Sequence, residues 1–271
     1  MTDLYAVIGN PIAQSKSPQI HAAFARQLDQ DLRYEAILAA RDGFATAVAA
    51  FRAAGGKGLN VTVPFKLEAF ALASKRTERA EQAEAVNTLK FDGMAVLGDN
   101  TDGAGLIWDM SERLGFAIRG KRVLLMGAGG AARGVMLPLL KQAPALVAVA
   151  NRTVAKALAI KRHFAPFGNV EGGDYRRLAD RQFDLVINAT SASLTGELPP
   201  LPSGVFAPGS LAYDMVYANE PTRFLVHARN HGAASLADGL GMLVAQAAES
   251  FLLWRGLRPD IEPVIAMLRR G

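Results

Sequence analysis

The stretch KRVLLMGAGGAARGVMLPLLK, residues 121–141, decides the fold of this chain. An apolar strand-like run, RVLLM, gives way at once to GAGGAA (127–132), and that to an apolar stretch of helical character. Gly127 permits a tight turn. Gly129 lets backbone approach a pyrophosphate, and Ala132, at the third small position, lets a helix pack closely on a strand. The phosphates would rest on the helix N-terminus, where unpaired backbone N–H groups gather.

Three more apolar strands follow: ALVAVANRT (145–153), FDLVINATS (183–191) and LAYDMVY (211–217). The run from about Gly120 therefore reads as a self-contained doubly wound unit. Its second strand decides which dinucleotide it takes. An NAD site usually carries an Asp or Glu there, whereas this strand ends in NRTVAK, without an acid. Arg152 can stack on an adenine and meet a 2′-phosphate, and Lys156 lies one helical turn further on. NADP is the expected cofactor.

Upstream, LYAVIGNP, RYEAILAA and GLNVTVPF read as strands. SPQIHAAFARQL reads as a helix with Ser17 as its N-cap and Pro18 first in the helix, and GFATAVAAFRAAG as a helix closed by Gly55 and Gly56. This alternation predicts a parallel α/β sheet. Downstream, GLGMLVAQAAESFLLWRG and DIEPVIAMLRR read as helices. The expected boundary between the two regions lies at 102–105, with a second crossing near LADGLG (236–241).

Composition sets limits on function. The 271 residues are 50% hydrophobic and 20% charged, enough for a large core. Cysteine is absent, which removes disulfides and thiolate chemistry and is compatible with a reducing cytoplasm. The net charge of +5 is dispersed, which fits an anionic ligand better than a nucleic acid. No basic-then-apolar leader, membrane span or metal-ligand spacing of the four histidines is seen, so no export signal, membrane or metal is expected.

One lysine is out of place. In LNVTVPFK (59–66), Leu59, Val61 and Val63 should face a core, leaving Asn60 and Thr62 toward a cavity. Lys66 then opens a helix, where the dipole opposes a cation. A lysine so placed is a candidate proton donor and acceptor. The segment GDNTDGAGLIWDM (98–110) offers Asp102, which is either a helix cap or an acid partner. SKSP (15–18) sets two hydroxyls at a helix start, suited to a carboxylate. Asn87 in EAVNTL sits beside a short apolar run. Helical spacing puts Gly239, Met242 and Gln246 on one face, where a buried amide needs a partner.

The blocks GNPIAQSKSP, NVTVPFK, AVNTL, GDNTDG, GAGGAARG, NRT, NATS, YDMVY and DGLGMLVAQAA, in this order, resemble the shikimate dehydrogenase family from residue 9 to about 250. The resemblance implies a substrate domain (1–102 plus 238–271) and a Rossmann-type NADP domain (103–237), with a cleft between. It implies reversible reduction of 3-dehydroshikimate to shikimate, in aromatic amino-acid biosynthesis, by a cytoplasmic enzyme. Lys66 would move the proton and Asp102 would pair with it. Ser15 and Ser17 would hold the substrate carboxylate, and Thr62, Asn87, Tyr217, Gln246 and Asn60 would complete the pocket. Gly127, Ala128, Gly129, Gly130, Ala131, Asn151, Arg152, Thr153 and Lys156 would hold NADP. Met215 and Gly239 would flank the nicotinamide, with Glu78 toward the cofactor. A homodimer is the one protein partner considered. The rivals are a quinate/shikimate dehydrogenase of dual use, a lysine-dependent dehydrogenase acting on folates, and a non-catalytic shikimate sensor.

Overall fold

The structure, a computed structural model, describes residues 2–190, 192 and 197–270. Its chain divides into two compact units, Met1–Gly105 with Leu243–Gly271, and Leu106–Met242.

The second unit is built on β7 (Arg122–Met126), β8 (Leu146–Ala150), β9 (Val170–Gly173), β10 (Phe183–Asn188), β11 (Phe206–Asp214) and β12 (Ser235–Ala237). All pairings are parallel, in the order β12-β11-β10-β7-β8-β9. That is the doubly wound order, reversing between β7 and β10, where such sheets bind ligands outside their carboxyl ends. Strands β7, β8 and β10 are buried along nearly their whole length, which is why they read as apolar runs rather than alternating ones. Helices α6 (Gly130–Lys141), α7 (Val154–Phe164) and α8 (Arg223–Asn230) cross between strands of this unit. Ser191 of the NATS block lies outside the described residues.

The first unit keeps its three expected strands parallel but adds an antiparallel one. It contains β1 (Asp3–Gly9), β2 (Leu32–Leu38), β3 (Gly56–Val61), β4 (Lys75–Arg76), β5 (Thr88–Asp92) and β6 (Ala95–Asp99), in the order β2-β1-β3-β5-β6-β4. Strand β5 runs antiparallel to both β3 and β6, so the sheet is mixed. The cause is a hairpin turning at Gly93, whose φ of 53° suits glycine, beside Met94, which is 92% exposed. Helices α1 (Ser17–Gln27), α2 (Phe44–Ala53), α3 (Lys66–Leu72) and α4 (Glu78–Ala83) belong to this unit, as does α10 (Glu262–Arg270). The unit boundaries fall inside α5 (Asp102–Trp108) and α9 (Leu240–Arg255).

Two local expectations are corrected. Ser17 is the first residue of α1, not its cap: Lys16 takes that place with no side-chain bond, and the Ser17 N–H donates to Ser15 Oγ at 3.3 Å. Val63 is 48% exposed because β3 ends at Val61, and Pro64 has no N–H to continue a ladder.

Candidate active site

In the first unit, β1, β3 and β6 share one direction, so their carboxyl ends share one sheet edge. The expected site residues stand on the segments leaving that edge. Ser15 and Ser17 follow β1, Thr62 and Lys66 follow β3, and Asp102 follows β6. Asn87 precedes the antiparallel β5.

Lys66 is fixed through its neighbour. Phe65 is fully buried and stacks on Phe44 with ring centres 5.1 Å apart, and the Lys66 carbonyl accepts the Val86 N–H at 2.9 Å. The side chain, 16% exposed, donates from Nζ to Asp102 Oδ2 at 2.5 Å. Phe65 gives α3 no side-chain cap, Glu68 stands in its first turn, and the Asp102 carboxylate bonded to Nζ offsets the helix dipole on this cation.

The acid-rich DNTD segment resolves into separate duties. Asp99 accepts from Arg79 Nε and Nη2 at 2.7 and 2.6 Å and from Thr77 Oγ1 at 2.5 Å. Burial opposes its charge, but the bonds and charge of Arg79 prevail and hold its carboxyl below the usual value. Asn100 donates to the Ala85 carbonyl and accepts the Asp102 N–H at 3.2 Å. Asp102 is therefore not the cap, and its carboxylate is left for Lys66 and for Asn87, whose Nδ2 donates to Oδ1 at 2.8 Å. Asn87 Nδ2 also donates to Thr101 Oγ1 at 2.9 Å and to Gln246 Oε1 at 3.3 Å. The structure thus brings Lys66, Asp102, Asn87 and Gln246 into one hydrogen-bonded group, with Thr101 among them.

Asn60 does not open onto a cavity. It is buried, accepts from Tyr34 Oη at 2.7 Å, and donates to Thr88 Oγ1 and Ser250 Oγ at 3.1 and 2.9 Å. Tyr34, Thr88 and Ser250 were not anticipated. One signal was available for Ser250: it stands four residues after Gln246 on the otherwise apolar α9, and so on the same face. Glu78 opens α4 in this unit, behind the Thr77 cap.

In the second unit, Gly127 leaves β7 at φ 107°, and its N–H donates to the Ala150 carbonyl at 2.8 Å. Gly129 caps α6 with no side-chain bond, and a Cβ built there would meet nothing within 4 Å. Ala128 closes the turn, and Gly130 and Ala131 form the first turn of α6, whose leading amides are thus left to an anion. Ala132 is fully buried, as its packing role requires. At the end of β8, the Asn151 N–H donates to the Gly173 carbonyl at 3.1 Å and Thr153 caps α7. Arg152 and Lys156 are exposed there, and the Arg152 charge reaches the buried Tyr175. These cations, with no acid at the strand end, fit a 2′-phosphate.

Met215 and Tyr217 follow β11. Asp214 is fully buried and joins the β10 and β11 ends to α8: its Oδ1 accepts from Asn188 Nδ2 at 3.2 Å and from the Val216 N–H at 3.0 Å, its Oδ2 from Thr222 Oγ1 at 2.6 Å. Gly239 precedes α9 and is not part of its helical face; a Cβ there would lie 2.2 Å from the Met215 carbonyl oxygen. Among the described residues there is no helix long and apolar enough to cross a membrane and no cluster of three metal-binding side chains.

Family models and known proteins match the chain along its length. Residues 7–89 match the family model of the shikimate dehydrogenase substrate binding domain. Residues 110–195 match that of shikimate / quinate 5-dehydrogenase, and residues 239–269 that of the shikimate 5'-dehydrogenase C-terminal domain. A protein of Nitrosospira multiformis named shikimate dehydrogenase (NADP(+)) is 65% identical over 269 residues, covering 99% of this chain and 98% of its own. The crystal structure of an Ael1 enzyme from Pseudomonas putida is 50% identical, with a TM-score of 0.91 over 98% of both chains. That of shikimate 5-dehydrogenase from Thermus thermophilus, in complex with NADP(H) and shikimate, is 31% identical, with a TM-score of 0.87 over 99% of both. Identity of this extent, spread along the whole length, settles the relationship: the chain belongs to the shikimate dehydrogenase family.

Proposed function

We propose that the chain is an NADP-dependent oxidoreductase that reversibly reduces 3-dehydroshikimate to shikimate, with Lys66 and Asp102 as its proton-handling pair. The observation that carries the chemistry is the 2.5 Å bond from Lys66 Nζ to Asp102 Oδ2 at a sheet edge lined with hydroxyl and amide groups.

NADPH, when bound, supplies a hydride to the ketone carbon. The ketone oxygen gains charge as this happens and needs a proton. Lys66 Nζ gives that proton, and takes it from the shikimate hydroxyl in the reverse direction. Asp102 keeps the ammonium aimed and stabilises its charge. Asn87 holds the second carboxylate oxygen, which limits rotation of the acid. Ser15, Ser17, Thr62, Gln246 and Tyr217 are proposed to grip the substrate. The segment 1–102 with 238–271 is proposed as the substrate domain and 103–237 as the cofactor domain. Gly127 to Ala131, Asn151 to Thr153, Lys156, Met215 and Gly239 would hold NADP, with Glu78 as a further contact. The setting proposed is the cytoplasm.

The test is direct. The purified chain should oxidise NADPH when given 3-dehydroshikimate and reduce NADP when given shikimate, with NADH and quinate as poorer alternatives. A protein that binds shikimate but turns over neither compound would be the sensor, and the proposal would fall.

A further inference from the structure

Asn87 can hold Asp102 in only one orientation of its amide. With Nδ2 toward Asp102 it donates; turned over, it would set a carbonyl oxygen against a carboxylate. Part of what decides the orientation lies well away from the acid. Asn87 Oδ1 accepts from the Thr101 N–H and from Thr88 Oγ1, each at 2.9 Å. A threonine hydroxyl has one proton. Having given it to Asn87, Thr88 must accept from Asn60 Nδ2 at 3.1 Å, while the single proton of Ser250 is shared between Thr88 Oγ1 at 2.8 Å and the Gln246 carbonyl at 3.1 Å. Ser250 in turn accepts from Asn60 Nδ2 at 2.9 Å.

Asn60 is a second reversible amide, set by Tyr34, whose Oη donates to Asn60 Oδ1 at 2.7 Å, and more weakly by the Asn87 carbonyl, which accepts from Nδ2 at 3.4 Å. The phenol is held in place, because its ring stacks on His21 with centres 4.2 Å apart and planes within 8°. Burial pushes its hydroxyl well above the usual value, with a hydrogen bond to Ser17 pulling the other way, so it remains a donor. Every proton then runs in one direction, from Tyr34 to Asn60, Thr88, Asn87 and Asp102.

We propose that Tyr34 is a positioning residue for the Lys66–Asp102 pair, its hydroxyl setting the direction of a relay through Asn60, Thr88 and Asn87. This rests on the reading of that pair as the proton-handling groups. Without the hydroxyl, Asn60 loses the stronger of its two restraints, the 3.4 Å bond to the Asn87 carbonyl remaining, and can more readily turn its carbonyl toward Thr88 and Ser250. The Thr88 proton is then drawn to Asn60, and Asn87 loses one of the donors that orient it.

The experiment compares Tyr34→Phe, Thr88→Val, Thr88→Ser and the Tyr34→Phe/Thr88→Val double variant with wild type, in NADP reduction by shikimate. Tyr34→Phe and Thr88→Val should each lower kcat about fivefold, with KM for shikimate changed by less than about twofold. The double variant should be no slower than the worse single one, because both cut the same relay. Thr88→Ser keeps the proton and should keep kcat, which preserves the test should Tyr34→Phe fail to fold. The relay is overturned by unchanged kcat in Tyr34→Phe, by multiplying effects in the double variant, or by equal loss in Thr88→Ser and Thr88→Val. It is also overturned by a raised KM at unchanged kcat, which would place the Tyr34 effect at Ser17. Wild-type protein without turnover would instead refute the functional reading.

Discussion

Lys66 carries its charge where a helix start disfavours it, and Asp102 is the reason this is tolerated. The anomaly was legible in LNVTVPFK because dipole and residue type disagree there. The surroundings were less legible. Asn60 alternates with apolar neighbours as a cavity-facing residue would, yet Tyr34, Thr88 and Ser250, remote in sequence, saturate its amide. Alternation gives the face a side chain points to, not what meets it there. Arg152 is proposed to meet the 2′-phosphate, since its charge stands exposed at a strand end without an acid. Arg152→Ala should cut the preference for NADP over NAD about tenfold, as the ratio of kcat/KM for the two cofactors would show. An unchanged ratio would remove Arg152 from the 2′-phosphate.

Elements differ in how openly the sequence declares them. Strands β7, β8 and β10 of the second unit are apolar runs, and the parallel pairing of β7 with β8 suits the crossover helix between them, whereas β9 (VEGG) and β12 (SLA) are too short and mixed to stand out. The β5–β6 hairpin was hidden: its strands are five residues long, and a short apolar run does not state its direction. Element junctions also make predictions. Thr222 caps α8, accepting the Leu225 N–H at 3.3 Å, and gives its own proton to the buried Asp214. Thr222→Ala removes both contacts and should cost about 3 kcal/mol in urea unfolding, most of it regained in Thr222→Ser. Ahead of α9, Gly239→Ala would drive a methyl into the Met215 carbonyl. NADPH affinity should fall about tenfold or more in fluorescence titration, since the shift falls on a segment proposed to hold the nicotinamide.

For the molecule as a whole, stability should fall in acid, and His21 gives the sign. Its ring is buried against Tyr34, Phe24, Phe251 and Trp254. Tyr34 is the one titratable group among these rings, and burial keeps it neutral. Burial lowers His21 to about 3, with Asn60 opposing in part. Below the ordinary value of 6.5 the unfolded chain takes up a proton that the folded chain refuses. This contribution is whole above that value and is lost as pH falls toward 3, about 2 kcal/mol of it by pH 5. Urea midpoints measured across this range should fall less steeply in His21→Phe than in wild type; equal slopes would exclude the histidine as the cause. Catalysis depends on a smaller part of the molecule, and the measurement closest to it is turnover of Lys66→Ala with shikimate and NADP, set beside calorimetric binding of shikimate. Loss of kcat by about 10²–10⁴ with shikimate still bound is the result predicted. Turnover near that of the wild type would contradict the account.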